Sequence, residues 1–246
     1  MRRMLFVCSA VVLFTTAASA QKTKPWTEWT DKEAAKMLTD SAWAQTQTEL
    51  SDTGGSSSQA ITRAAENKRE LDTSKNGESG ETLGRANASL SVRYYVSFLT
   101  AKPIRQAFIR MIELQRPEMT AEKVAELRTF VDRDFGEYVV VTLKVDGTDR
   151  KRIAPAMQEI ATADAELLKT TTYLERKDGK RVALMEYRAP GQDGMGAKFV
   201  FPRTLDGQPF LDANSGELRV FIQIGKTRLN RRFKVTDMMY EGKLEY

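Results

Sequence analysis

The 246-residue chain contains no histidine and only one cysteine. The absence of histidine excludes the Ser-His-Asp and Cys-His nucleophile systems and the usual ligand sets for zinc and other transition metals. Carboxylate acid-base chemistry, Ser-Lys pairs and hard cations held by oxygen atoms remain available. Because no catalytic motif accompanies these residues, we expect a protein that is not an enzyme and that uses no cofactor.

Long hydrophobic runs are also scarce. The apolar segment Met4–Phe14 is well short of the ~20 residues that a membrane-spanning helix needs, and no later segment approaches that length, so we expect no transmembrane anchor. This segment follows the basic start Met1–Arg3 and precedes the small-residue site Ala18–Ala20. The three-part pattern predicts a signal peptide over residues 1–20. Cleavage before Gln21 would export the protein to the periplasm or the cell exterior.

The exported chain would contain no cysteine, because Cys8 lies inside the predicted signal peptide. An exported protein without disulfides must derive its stability from a hydrophobic core. Basic and acidic residues are nearly balanced, with 38 Lys and Arg against 33 Asp and Glu. This balance gives no reason to expect a nucleic-acid partner.

Tryptophan is concentrated in one segment, residues 21–50, which we predict to be helical. Thr30–Glu33 matches a capping box, and Asp40-Ser41 is expected to cap a second helical turn. One interpretation is a docking helix for another envelope protein, since aromatic anchors are frequent in such interfaces. The alternative is that the segment folds back onto the protein's own sheet and removes its indole rings from water. The residues concerned are Trp26, Trp29 and Trp43.

A compositional change separates this segment from the rest of the chain. Between residues 51 and 89 the large apolar residues are only Ile61, Leu71 and Leu83. Such a stretch cannot bury enough surface to offset the entropy lost on ordering. The sequence therefore predicts a flexible, low-complexity tether over residues 51–90.

Residues 91–246 are expected to form one globular domain. Alternating apolar residues predict a strand over Tyr138–Val145, whereas Val92–Phe98 suits either a strand or a helix. The dipeptide Asp178-Gly179 matches a two-residue type I′ turn. Apolar residues spaced three and four apart predict helices over Pro103–Gln115, Thr120–Phe135 and Ile153–Leu168.

The clearest periodic pattern is at the C-terminal end, where two successive strands are predicted. Helices in the first half and strands in the second predict an α+β fold. In that fold the helices pack on one face of a mainly antiparallel C-terminal sheet. The first strand has the apolar face Leu218, Val220, Ile222 and Ile224, and the period of two continues in the second at Leu229, Arg231, Phe233 and Val235.

A basic cluster surrounds this last hairpin, at Arg228, Arg231 and Arg232. The cluster would suit an acidic partner or an anionic envelope polymer. Alternatively, the charges prevent an edge strand from pairing with another molecule.

Oxygen ligands suggest a weaker candidate, a calcium site at Asp212, Asn214 and Glu217. An ordinary polar turn before a strand explains the same residues.

Carboxylates are the remaining acid-base candidates, although a glycosidase needs two of them at a defined separation in a cleft. Solvated surface charge is the simpler interpretation of each group. The groups are Glu175 with Glu186, Asp132 with Asp134 and Glu137, and Asp237 with Glu241 and Glu245.

The leading hypothesis is an exported, non-enzymatic binding or interaction protein of the cell envelope. The first alternative is a carboxylate-dependent hydrolase of polysaccharide or peptidoglycan. The second alternative is a carrier that holds a small ligand in a cleft between its helices and its sheet.

Overall fold

The computed structural model describes residues 24–50 and 91–246. The predicted signal peptide and the predicted tether lie outside these residues. The strands, in chain order, are β1 (Ala44–Leu50), β2 (Ser91–Phe98), β3 (Tyr138–Asp146), β4 (Tyr173–Arg176), β5 (Arg181–Ala183), β6 (Glu186–Arg188), β7 (Ala197–Pro202), β8 (Thr204–Leu205), β9 (Gln208–Pro209), β10 (Glu217–Ile224), β11 (Thr227–Lys234), β12 (Met239–Tyr240) and β13 (Lys243–Leu244).

Two antiparallel sheets contain most of these strands. A five-stranded sheet has the order β1-β2-β3-β7-β6, and a four-stranded sheet has the order β11-β10-β4-β5. The pairs β8-β9 and β12-β13 form two small additional sheets. The α-helices are α1 (Asp31–Thr39), α2 (Lys102–Gln115), α3 (Ala121–Thr129), α4 (Arg150–Ala161) and α5 (Ala165–Thr171), and short 3-10 helices lie at Trp26–Glu28, Phe130–Asp132 and Val235–Met238.

The two larger sheets share one hydrophobic core. In the five-stranded sheet, Val141 pairs with Phe98 on one side and with Phe199 on the other, and all three are fully buried. Phe98 also meets Phe233 of the four-stranded sheet edge to face, with ring centroids 4.9 Å apart. Alternation along each strand therefore directs one face of each sheet to a common interior.

The sheets meet at both lateral edges. On one side, β5 and β6 are separated by only Leu184 and Met185, and the Met185 amide donates to the carbonyl of Val200. On the other side, side chains of β1 bridge to the backbone of β11. Gln47 Nε2 donates to the carbonyl of Arg228 at 2.9 Å, and Gln45 Nε2 donates to the carbonyl of Arg232. The assembly is thus a barrel-like sandwich with a seam closed by glutamine side chains.

Helices α1, α2 and α3 form a layer outside the five-stranded sheet. Val140 and Val200 point outward from adjacent strands and pack with Leu99, Phe130 and Phe135 in a small second cluster. Helices α4 and α5 instead contribute to the main core, through Ile153, Ala156, Ile160 and Leu168.

A buried arginine anchors the start of α2. Arg105 is 5% exposed and donates to the backbone carbonyls of Leu99, Thr100 and Val131. Burial lowers the pKa of its guanidinium. These bonds fix the helix against the end of β2 and so determine where the helical layer begins.

The predicted α+β class is confirmed, with helices preceding a strand-rich C-terminal half. Burial alternates strictly along Glu217–Ile224, as the C-terminal pattern predicts. Pro103 lies in the first turn of α2, where its missing N–H costs nothing. The ambiguous stretch Val92–Phe98 is strand β2.

The predicted second helical turn carrying Trp43 is wrong, because residues 44–50 form strand β1. The capping box at Thr30 and Glu33 is present, but helix α1 ends at Thr39. The inward positions of β1 include Gln45 and Gln47 at the seam, so the strand lacks the apolar alternation by which strands are recognised.

The predicted type I′ turn is also wrong. The backbone N–H of Arg176 donates to the carbonyl of Lys180, and Glu175 pairs with Arg181, so the loop has three residues. A type I′ turn requires positive φ at both central residues, and of these only Gly179 has it, at 83°. Glu175 therefore faces Arg181 and not Val182.

Two predicted helices are shorter than expected. The Ile153–Leu168 prediction covers both α4 and α5, because the Asp164 carboxylate accepts the N–H groups of Glu166 and Leu167 and starts a new helix. The Thr120–Phe135 prediction ends as an α-helix at Thr129 and continues as one 3-10 turn.

Trp43 anchors the N-terminal segment to the last residues of the chain. Its side chain is 7% exposed, its Nε1 donates to the carbonyl of Glu245 at 2.8 Å, and its ring meets Tyr240 edge to face at 6.0 Å. We expect Trp43→Ala to lower the free energy of unfolding by about 3–5 kcal/mol, because it leaves a cavity and an unpaired carbonyl.

The matched control is Trp26→Ala, which removes an indole that is half-buried and contacts the Arg128 guanidinium at 5.5 Å. It should cost about 1 kcal/mol. Urea unfolding followed by far-UV circular dichroism measures both. Equal losses for the two variants would contradict the anchoring role of Trp43.

Candidate functional site

The described surface contains a groove between the helical layer and the outer face of the five-stranded sheet. Its floor is polar, because Ser97 pairs with Thr142 and Tyr95 pairs with Lys144 across β2 and β3. The Ser97 and Thr142 hydroxyl oxygens lie 2.7 Å apart, and both residues are less than 10% exposed. Burial raises the pKa of Tyr95.

The walls of the groove are mainly apolar. They come from α1, α2, α3 and the loop before β7, and together they enclose about 690 Å³. That volume is within the usual range for a small-molecule site. The apolar lining residues are Ala35, Leu38, Leu99, Ile104, Phe108, Met111, Ile112, Met119, Leu127 and Met195.

The loop that forms one wall is held by two features. The Asp193 carboxylate accepts the N–H of Met195 at 3.0 Å and pairs with Lys198 Nζ at 2.6 Å. Burial opposes ionisation of Asp193, but these bonds outweigh burial and lower its pKa. Gly196 then passes so close to β3 that a Cβ atom would lie 2.3 Å from the carbonyl oxygen of Leu143.

Positive charge predominates around the groove. Asp146 pairs with Arg93 at 3.2 Å, and Lys123 pairs with Glu126 at 2.7 Å. Arg116 and Lys144 also line the groove, and neither forms an ion pair among the described residues. The site therefore combines apolar walls, buried hydroxyls and two uncompensated cations.

A second concave region lies where α4 meets the ends of β1, β2 and β11, with a volume of about 760 Å³. Glu49 and Glu159 both line it, together with Tyr94 and Thr227. Thr227 Oγ1 donates to Glu159 Oε2 at 3.5 Å and lies 3.4 Å from the Tyr94 hydroxyl. Burial raises the pKa of Glu49, and the charge of Glu159 acts in the same direction.

The tryptophans do not form one exposed surface. Trp43 belongs to the core, Trp26 is half-buried beside Arg128, and Trp29 Nε1 donates to the carbonyl of Lys24 at 3.3 Å. Arg110 in turn donates to the Trp29 carbonyl at 2.8 Å. The described part of the segment therefore packs on the protein's own body.

The three arginines of the basic cluster lie on opposite sides of β11. Arg228 and Arg232 are exposed on the outer face, whereas Arg231 points toward the interior and donates to Gln45 Oε1 at 3.2 Å. Burial lowers the pKa of Arg231. Only two members of the cluster share a surface.

The candidate calcium ligands form an ordinary turn. The Asp212 carboxylate accepts the N–H of Asn214 at 2.7 Å, and Glu217 pairs with Arg232 at 3.6 Å. In residues 24–50 and 91–246, no group of three or more acidic residues is arranged to hold a metal ion.

Most of the carboxylates singled out in the sequence are engaged in ion pairs. Glu175 pairs with Arg181 and Arg219, and Glu186 pairs with Arg188. Asp132 and Glu241 both contact Lys102, and they are 76% and 61% exposed. None of these carboxylates lines either concave region.

The sequence suggested a cleft between helices and sheet as one alternative, but it identified none of the residues that line either concave region as site residues. The groove floor consists of polar residues at outward strand positions, and Glu49 lies in an unrecognised strand. Ser97 and Thr142 gave one available signal, because each is a hydroxyl residue at an outward position of a strand with apolar neighbours. A buried hydroxyl needs a hydrogen-bond partner, so such residues indicate that the outer face of the strand is covered.

Comparisons with known proteins do not show a family for this chain. No protein-family model and no curated protein matches it. A solved structure of a protein of unknown function from Burkholderia pseudomallei is similar, with a TM-score of 0.38 and 12% sequence identity over 56% of this chain and 72% of that chain. No helix within the described ranges is long and apolar enough to cross a bilayer.

The close passage of Gly196 allows a direct test of the groove wall. We expect Gly196→Ala to lower the free energy of unfolding by about 2 kcal/mol or more, because the residue has φ +82° and its Cβ would collide with β3.

The control is Gly191→Ala in the same loop, where a Cβ atom would meet nothing within 4 Å. Its effect should stay within about 0.5 kcal/mol. Urea unfolding compares the two variants, and a neutral Gly196→Ala would show that the loop does not press on β3 as described.

Proposed function

We propose that this protein is an exported, non-enzymatic binding protein that holds a small amphipathic ligand with an acidic head group in the groove above the five-stranded sheet. The supporting observation is an enclosed volume of about 690 Å³ with apolar walls beside two uncompensated cations. Export rests on the signal-peptide pattern of residues 1–20.

Apolar walls favour the alkyl part of such a ligand. Moving each methylene group from water into the groove contributes about 0.8 kcal/mol. Phe108, Met111 and Ile112 of α2 line the groove and are half-buried, so a bound alkyl chain would bury more of their surface. Methionine adapts its shape to different ligands, which suits a carrier.

The polar parts favour an acid over a neutral head group. Arg116 and Lys144 offer charge-assisted hydrogen bonds that no described carboxylate occupies. The Ser97 and Thr142 hydroxyls already satisfy each other, so they act as a polar floor and need no ligand group.

The alkyl preference is tested with decanoate and 1-decanol. Decanoate should raise the melting temperature of the protein, by the equivalent of about 2.7 kcal/mol at 100 times its Kd. Met111→Trp, which fills the groove, should abolish the shift for both compounds. The control Leu114→Trp changes the same helix at a position that is 36% exposed and outside the groove, and it should bind normally.

The head-group preference is tested with Arg116→Gln and Lys144→Gln. Each should weaken decanoate binding about three- to tenfold and leave decanol binding unchanged, because only the carboxylate uses the cations. Calorimetric titration measures both affinities. No binding of either compound by the unmodified protein would contradict the proposed site.

A carboxylate-dependent hydrolase is the second candidate, favoured by Glu49 and Glu159 in one cleft. Burial raises the pKa of Glu49, and two carboxyl groups in one cleft suit acid-base hydrolysis of a polysaccharide. Release of reducing ends from peptidoglycan or polysaccharide should then disappear in Glu49→Gln and in Glu159→Gln, and persist in the exposed control Glu126→Gln. Absence of turnover by the unmodified protein would exclude this function.

A further inference from the structure

The four-stranded sheet has an outer face that differs from that of the other sheet. Helices α1 to α3 pack outside the five-stranded sheet, whereas Arg228, Asn230 and Arg232 are exposed along β11. Along β10 the matching outward residues, including Phe221, are half-buried. This face is therefore open to a partner.

A row of four side chains crosses this open face. Tyr173 of β4 and Phe221 of β10 stack with ring centroids 5.0 Å apart and planes inclined by 15°. The Arg181 guanidinium lies 4.2 Å from the centroid of Tyr173, and the Arg228 guanidinium lies 5.8 Å from that of Phe221. The order is arginine, two aromatic rings, arginine, across all four strands and about 14 Å.

The row is positively charged. Arg228 has no carboxylate partner among the described residues, and Arg181 shares the single carboxylate of Glu175 with Arg219. Glu217 pairs with Arg232. Four outward arginines thus face two glutamates on this sheet, and the excess charge favours an anionic partner.

Contacts with the aromatic rings also hold the guanidinium groups in an orientation that a partner can bind. A guanidinium that stacks on an aromatic ring keeps its N–H groups in its own plane, where a second partner can accept them. The stacking already restricts the arginine side chain, so less conformational entropy is lost when a partner binds. Planar carboxylates accept such N–H groups in pairs.

The same contacts argue against a nucleic acid. Single-stranded nucleic acids bind by stacking bases on open aromatic faces. Here the faces of Tyr173 and Phe221 are occupied by each other and by the two arginines. The rings are equally unsuited to insert into a protein pocket, as an aromatic hot spot would.

We propose that this row binds an extended polysaccharide that carries carboxylate groups, with Arg181 and Arg228 as its two contact points. The surface lies on a different sheet from the ligand groove, so the proposal stands independently of the ligand assigned to that groove. The row runs diagonally over the sheet, because Arg228 lies opposite Gln223 and Arg181 lies opposite Glu175, and an extended polymer that follows this diagonal can contact both guanidiniums.

The test measures binding of polygalacturonate to the full chain by calorimetric titration at low salt, with neutral dextran and an oligothymidylate as comparison polymers. Polygalacturonate should bind, more weakly as salt rises, and dextran should not. Arg228→Gln and Arg181→Gln should each weaken binding at least about fivefold. The control Arg150→Gln removes an exposed charge from α4 and should change affinity less than about twofold.

Arg228→Lys separates this mode from simple charge attraction, because lysine keeps the charge but lacks the paired N–H geometry. It should bind polygalacturonate more weakly than the unmodified chain, although less weakly than Arg228→Gln, which also loses the charge. Three results would overturn the proposal: no binding by the unmodified chain, full affinity in Arg228→Lys or in both glutamine variants, or tighter binding of the oligothymidylate. Thermal unfolding of each variant confirms that the fold is retained.

Discussion

The hydrogen bond from Trp43 Nε1 to the carbonyl of Glu245 joins residues 202 positions apart and holds the N-terminal segment against the end of the chain. Because Trp43 immediately precedes β1, its burial fixes where that strand begins against β2. Strand β1 then closes the seam to β11, and the helix before it forms one wall of the groove. One buried indole thus connects the N-terminal segment, both sheets and the candidate site.

Outward residues along β3 explain why a groove forms at one place on the five-stranded sheet. Val140 is covered by the small aromatic cluster, Thr142 forms part of the polar floor, and Lys144 is exposed. This succession from apolar to hydroxyl to charged side chains follows the strand away from the start of α2. The helical layer can pack tightly only on the apolar end, since burying the charged end would carry a desolvation cost.

The two sheets use their outer faces differently. Only the apolar end of the outer face of the five-stranded sheet, at Val140 and Val200, is tightly covered, by Leu99, Phe130 and Phe135. The four-stranded sheet instead places Tyr173 and Phe221 between two arginines. Their guanidinium groups shield the two aromatic rings from water and themselves remain hydrated. This arrangement leaves a stable but charged face, which suits a polar partner better than an apolar one.

Local patterns in the sequence determined the α+β class, the capping box at Thr30, helix α2 and the alternating burial of β10, because each depends on residues close together in the chain. Tertiary structure alone decided the rest. Strand β1 has no apolar alternation, because Gln45 and Gln47 occupy its inward positions. Their side chains are held there by hydrogen bonds to strand β11, more than 180 residues away in the chain. The groove, the Glu49 and Glu159 cleft and the arginine-aromatic row likewise contain residues from strands and helices that are far apart in the chain. Local sequence spacing cannot predict these contacts, because they form only when the sheets and helices pack together.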